Sequence, residues 1–156
     1  MDFVGDYMAK LDDKSRLVLP SAFRSQAAGL SLEAGKFVVR RSIMGKCLDI
    51  ILINEWSRQR EEAQKQFDLY DEADFELWIK FISDTFELVP DEKTGRIGIP
   101  KKLLDEIGVD KEVVFVGETN KILVWSAEEY ARVKNRVSQD EYKEKVKRLL
   151  RNKNIR

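Results

Sequence analysis

Histidine is absent from the 156 residues, cysteine occurs once and proline three times. Without imidazole, Ser-His-Asp and Cys-His nucleophile systems, histidine metal ligation and a histidine pH switch are excluded. The lone Cys47 can form neither an intrachain disulfide nor a four-cysteine zinc site, so folding needs no oxidising compartment. It opens the apolar run Leu48 to Ile53 and reads as a core residue. Long apolar runs are lacking too: the purely apolar ones stop at Ile50 to Ile53 and Val113 to Val116, too short to span a membrane. The start, Met1-Asp2-Phe3-Val4-Gly5-Asp6, has no basic flank followed by an apolar stretch, so the expected location is the cytoplasm. A glycine-rich phosphate loop is missing as well, which leaves an enzyme only carboxylate chemistry; the expectation is a non-enzyme without a cofactor, a metal or a small-molecule substrate.

Net charge is zero, with 28 basic and 28 acidic residues, yet the signs are segregated. Residues 1–60 carry +3, residues 61–92 carry −9 and residues 93–156 carry +6. Binding to a polyanion depends on a local basic face and not on the mean, so this distribution permits nucleic acid. With 43% hydrophobic and 36% charged residues, the chain can both bury a core and cover it.

An internal repeat organises the sequence. Lys14-Ser15-Arg16-Leu17-Val18-Leu19-Pro20 returns 80 residues later as Thr94-Gly95-Arg96-Ile97-Gly98-Ile99-Pro100. Alternating apolar residues after each arginine have the period of a half-buried strand, and the prolines end the strands and open helices at Ser21 to Ala28 and Lys101 to Ile107. Two further strands follow in each half, Phe37 to Arg40 with Leu48 to Ile53, and Val113 to Val116 with Ile122 to Trp125, and then a helix. Each half reads β-β-α-β-β-α. Asn54 is the expected cap of a helix over 55–69, and Ser126 with Glu129 is the expected capping box of the next. The acidic stretch through Asp71, Glu72, Asp74 and Glu76 is interleaved with Phe75, Leu77, Trp78 and Phe81, which predicts an ordered helix charged on one side. Trp56, Trp78 and Trp125 read as core.

Half a chain of this size buries little apolar surface, so the halves are expected to fold against each other. The fold class is α+β: tandem β-β-α-β repeats forming a pseudo-two-fold β-barrel with flanking helices. Residues 1–54 form the first repeat, 55–83 the linking helices, 84–126 the second repeat, and 127–156 the C-terminal helices and basic tail.

The segment Leu11-Asp12-Asp13-Lys14-Ser15-Arg16-Leu17-Val18-Leu19-Pro20 resembles the Asp-x-x-x-Arg signature of the MraZ family, which is built from SpoVT/AbrB-type swapped-hairpin repeats. The resemblance covers almost the whole chain. It implies a bacterial DNA-binding transcriptional regulator of the division and cell-wall gene cluster. Such a protein binds short GTGG-type direct repeats in promoter DNA, assembles into rings and associates with the nucleoid. By position Asp12 and Arg16 are the defining pair. In the second copy the arginine is Arg96, with Glu92 four residues before it and Asp91 one earlier, so either Glu92 takes the aspartate's part or a shifted turn gives it to Asp91.

Physical chemistry offers a parallel argument. A guanidinium oriented by a carboxylate keeps other donors free, and arginine pairs with guanine O6 and N7, a contact worth about 1–3 kcal/mol of discrimination. Lys14 and Lys93 are positioned for phosphates. Asp12, Lys14, Arg16, Glu92, Lys93 and Arg96 are therefore the candidate DNA-binding residues. The bland reading of Asp12 with Arg16 is a hairpin-closing ion pair, and that of Lys101-Lys102 and of the basic Lys145 to Arg156 is a solvated surface. The competing function is a protein-interaction module of the antitoxin type, which uses the same fold to dimerise and holds a partner through its tail.

Overall fold

The computed structural model describes residues 2–30 and 35–152. The first half contains β1 (Asp6–Lys10), β2 (Leu17–Val18), α1 (Ser21–Leu30), β3 (Phe37–Arg41) and β4 (Leu48–Leu52). Helices α2 (Ile53–Gln66) and α3 (Glu72–Ile82) lead to the second half, which holds β5 (Phe86–Leu88), β6 (Arg96–Ile97), α4 (Lys101–Glu106), β7 (Glu112–Glu118) and β8 (Lys121–Ser126). Helices α5 (Ala127–Arg136) and α6 (Gln139–Asn152) follow. The basic tail thus lies on α6 as far as Asn152, and its remainder falls outside the described residues.

The strands form a six-stranded antiparallel sheet in the order β1-β7-β8-β4-β3-β5 and a separate two-stranded ribbon, β2-β6. Exchanging equivalent strands of the two halves (β1 for β5, β3 for β7, β4 for β8) reverses this order and leaves it otherwise unchanged. The repeat therefore appears as a pseudo-two-fold relation about the β4·β8 pair. The halves are interlocked: β1 pairs with β7 of the second half, and β5 pairs with β3 of the first. The expected closed barrel is corrected to an open sheet with β1 and β5 as its edges, because no ladder joins those two strands among the described residues. Their outer rows of backbone groups end the ladder instead of completing a circle.

One apolar cluster lies between the main sheet, the ribbon and helices α1 and α4. It takes Leu17, Leu19, Ile97 and Ile99 from the ribbon, Phe23 and Ala27 from α1, Leu103, Leu104 and Ile107 from the α4 region, and Val39, Leu48, Ile50, Phe115 and Val124 from the sheet. Each fully buried aliphatic or aromatic side chain contributes about 1.5–3 kcal/mol. Phe23 anchors α1 by edge-on contacts to Phe3 and Tyr7, with centroids 5.8 and 5.2 Å away. Val38, Ile51, Trp56, Ile53 and Phe81 form a second cluster on the opposite face, beneath α2 and α3. Trp56 and Trp78 are buried as expected. Trp125 is only half-buried, because it alternates with Val124 and Ser126 on β8 and faces away from the main cluster, beside Gly45.

Local signals account for the starts of α3 and α5. Asp71 caps α3 by accepting the Asp74 N–H at 3.0 Å, and Ser126 caps α5 by accepting the Glu129 N–H at 3.1 Å. The Glu129 carboxylate turns to Arg132 and leaves that capping box half made. Asn54 is not the cap of α2: the helix begins at Ile53 directly after β4, with Leu52 in the capping position and no side-chain cap. Ile53 donates its N–H to Lys36 O at 3.2 Å, so the strand's neighbour supplies an acceptor at the helix start. Helix α2 ends at Gln66 rather than Leu69.

Candidate nucleic-acid interface

The β2-β6 ribbon pairs Leu17 with Ile97 and Val18 with Arg96, which brings the two sequence copies side by side in opposite directions. Alternation sends Leu17, Leu19, Ile97 and Ile99 inward and leaves Arg16, Val18, Arg96 and Gly98 partly or fully exposed on the outer face. The motif arginines are thus neighbours on one small surface, held by the core on its reverse side.

Asp12 builds the first turn. Its Oδ1 accepts the backbone N–H groups of Lys14 at 2.9 Å and Arg16 at 2.8 Å, and its Oδ2 accepts the Arg16 Nε–H at 3.0 Å. Asp12 N–H donates to Arg16 O and Ser15 N–H to Asp12 O, which closes the loop with Ser15 in the left-handed region at φ 59°. The Arg16 backbone N–H, followed by that of Lys14 and the Arg16 guanidinium, holds the Asp12 carboxyl below its ordinary pKa, against partial desolvation.

The second turn is one residue longer. Asp91 N–H donates to Arg96 O at 2.9 Å and Gly95 N–H to Asp91 O at 2.8 Å. Asp91 Oδ2 accepts the N–H groups of Lys93 and Thr94 at 3.1 and 2.8 Å and the Thr94 hydroxyl at 2.9 Å. Of the two alternatives left by the sequence, Asp91 closes the turn. Glu92 stands exposed with no hydrogen bond or ion pair among the described residues, because the extra residue moves the closing carboxylate to the fifth position before the arginine. The Thr94 N–H, then its hydroxyl, lead the groups that hold the Asp91 carboxyl below its ordinary pKa.

Asp91 spends its hydrogen bonds on Lys93 and Thr94, and Arg96 looks instead to the other repeat. Its Nε lies 3.3 Å from Asp12 Oδ2, the same oxygen that receives Arg16. The Arg96 Nε–H is not aligned to donate there, so the attraction is Coulombic while the Arg16 bond is directional. One carboxylate therefore faces two guanidinium groups, and both arginines keep substantial exposure, 42% and 37% of their side chains. Lys14 and Lys93 flank the pair as exposed side chains, and their ammonium groups have no partner among the described residues.

The sequence reading missed Arg24. From α1 it donates its Nε–H to Leu19 O at 3.2 Å and lays its guanidinium over Gly95, where an added Cβ would stand 2.5 Å from Arg24 Cζ. No motif announces this residue; the signal available was the glycine at 95, where the first copy carries serine. Thr94 also belongs to the site, because its N–H and hydroxyl both donate to the Asp91 carboxylate that closes the second turn. Lys101 and Lys102 are committed to carboxylates, at 3.0 Å from Asp105 and 2.8 Å from Asp84. Among the described residues there is no group of three or more His, Cys, Asp or Glu suited to a metal ion, and no helix is long and apolar enough to cross a membrane.

Comparison with known proteins agrees with the repeat. Residues 3–77 and 81–153 match the family described as "MraZ protein, putative antitoxin-like", with one arginine turn in each matched segment. A Bacteroides fragilis protein named Transcriptional regulator MraZ is 30% identical over 126 residues, covering 81% of this chain and 78% of that protein. Its Kocuria rhizophila namesake is 33% identical over 126 residues, covering 80% and 81%. The Clostridium acetobutylicum protein of that name is 27% identical over 128 residues, covering 82% and 84%. With both segments matched and relatives at this identity aligned over four-fifths of its length, the chain belongs to the MraZ family.

Proposed function

We propose that this protein is a sequence-specific DNA-binding transcriptional regulator that reads promoter DNA with the outer face of the β2-β6 ribbon. The carrying observation is the pair of exposed arginines, Arg16 and Arg96, set side by side over one carboxylate. The major groove admits a two-stranded β-ribbon, and an oriented guanidinium is the commonest reader of guanine. Gly98 adds no side chain to this face, so little stands between the arginines and a base edge. Lys14 and Lys93, at the two turns, are set to meet phosphates on either side. Asp12 and Asp91 position the turns; Glu92 lies beside Lys93 at the rim of the same surface.

The family resemblance supplies the finer terms of the reading: GTGG-type direct repeats as the target, the division and cell-wall gene cluster as the regulated locus, and a nucleoid-associated, cytoplasmic setting. It also supplies a ring-like homo-oligomer, in which each subunit presents the same weak site to one repeat of the DNA. The relatives' name, transcriptional regulator, supports the class of activity.

Fluorescence anisotropy of duplexes carrying intact or scrambled repeats, titrated over several salt concentrations, tests this. Preference for intact repeats that persists as salt rises is the expected result, since phosphate contacts weaken with salt and base contacts persist. Equal, salt-sensitive binding of both duplexes would reduce the ribbon to a basic surface. Binding to neither would favour the antitoxin-like reading, for which the supporting observation is α6, a helix with no buried residue and with Tyr142, Leu149 and Leu150 exposed.

A further inference from the structure

Helices α2-α3 and α5-α6 follow equivalent strands, β4 and β8, so each half ends in a pair of helices. The first pair has a core of its own. Trp78 of α3 is buried against Phe67 and Phe81, with centroids 5.7 and 5.8 Å away, and Phe81 stacks in turn on Trp56 at 5.7 Å. The second pair has none: no residue of α5 or α6 is buried.

Helix α6 is nevertheless patterned for burial. Tyr142, Val146, Leu149 and Leu150 recur at the i, i+4, i+7 and i+8 spacing of one helical face, and Tyr142, Leu149 and Leu150 are exposed on it. A helix of 14 residues is marginal in water without a surface to pack on. Helical geometry sets Lys145 along one border of the stripe and Lys143 with Lys147 along the other. From Lys145 to Arg151 there are four cations and no acid, and none of the four has an ion-pair partner among the described residues.

Helix α3 presents the complement. Beside the row that buries Trp78, Phe75 and Ile79 stand one turn apart and exposed, with Glu72 and Glu76 next to them at the same spacing. From Asp68 to Glu76 there are five acids and no cation. Asp68, Asp71 and Asp74 accept backbone N–H groups of their own loop and helix start, and no Lys or Arg pairs with any of the five among the described residues. The zero net charge thus conceals two apolar faces of opposite sign that leave each other uncovered within the chain.

We propose that α6 of one copy packs the stripe from Tyr142 to Leu150 on the Phe75-Ile79 face of α3 in a second copy, with Lys145 and Lys147 set against Glu72 and Glu76. The apolar rows supply the driving force. The charges decide which surface meets which, since exposed pairs add little affinity but like charges set face to face are rejected. The two surfaces differ, so every copy uses both and association runs head to tail, which closes into a ring where the rotation permits. This contact rests on the homo-oligomer of the proposed function and names its two surfaces.

Sedimentation velocity of the full-length protein over a concentration series tests it. Lys145→Glu with Lys147→Glu, and separately Glu72→Lys with Glu76→Lys, should each weaken self-association about tenfold or more. All four substitutions together restore the parent's net charge and should restore its association. The four sites are exposed, so the circular dichroism of every variant should stay that of the parent. Tyr142→Ala with Leu150→Ala, which opens no cavity within one copy, should also weaken association about tenfold or more. A parent whose association ignores both charge reversals would overturn this contact and leave the homo-oligomer standing on another surface. Loss with the α6 reversal alone, or no recovery in the fourfold variant, would overturn the pairing with α3. A parent that sediments as a monomer throughout would overturn the contact and the homo-oligomer together and leave α6 to a different protein. None of these outcomes depends on whether the ribbon binds DNA.

Discussion

Arg16 and Arg96, 80 residues apart in sequence, place their Nε atoms 3.0 and 3.3 Å from a single oxygen, Asp12 Oδ2. Two cations held this close repel each other, and the carboxylate between them offsets that repulsion while it aims one of them. The Asp12 position therefore acts on both repeats, although it belongs to only one.

Replacing Arg16 by Lys tests the fork rather than the charge. Nonspecific binding and its salt dependence should stay near those of the parent, while discrimination between intact and scrambled repeats falls roughly 10- to 100-fold, the equivalent of losing one bidentate base contact. Arg96→Lys should do the same if the second turn reads DNA as the first does. Anisotropy at matched salt reads both.

Asp12→Asn removes the shared charge and should cost specific affinity through both arginines, whereas Asp91→Asn should act mainly on its own turn. The pH dependence follows from the depressed pKa values of both carboxyls. A carboxyl whose pKa is lowered on folding stabilises the folded state above the unfolded pKa, and that contribution fades as pH falls through the folded value. The difference in melting temperature between parent and either variant should thus be full at neutral pH and shrink below about 3.8, the ordinary aspartate value. A difference that grows on acidification would contradict the assignment.

Gly95→Ala should destabilise by about 1–2 kcal/mol from its left-handed backbone alone, and by the smaller cost of pushing the movable end of the Arg24 side chain aside. Pairing it with Arg24→Ala removes the collision and leaves the backbone cost. Ser15→Gly at the corresponding site of the first turn should be neutral or stabilising. Urea unfolding of these three variants, beside Arg24→Ala alone, separates the two contributions.

Leu48→Ala, at the centre of the pseudo-symmetric sheet and fully buried, should cost about 2–5 kcal/mol, while Met44→Ala on the exposed turn stays within about 0.5 kcal/mol. Comparable losses at both positions would mean that the turn is covered in solution.

The repeat and the order of elements were legible because alternation after each arginine and the following proline are local signals. Strand exchange between halves was not, since the partner of β1 is β7, more than a hundred residues away, and nothing in Asp6 to Lys10 encodes it. Closure failed to follow for a similar reason: whether β1 meets β5 depends on how far a six-stranded sheet curls. At the site, the arginines stood out by repetition, yet one inserted residue moved the second turn's carboxylate from 92 to 91. Arg24 stayed hidden because its contact with Gly95 crosses between repeats.

That inserted residue has a further consequence. A ribbon with two identical turns would look the same from either end, and a duplex laid across it could be reversed without penalty. Here one turn is shorter, owns the shared carboxylate and aims its arginine, while the other is longer and leaves its arginine less constrained. The outer face of the ribbon has a head and a tail, so on the proposed function a bound duplex would have a preferred polarity, as direct repeats of a target would require.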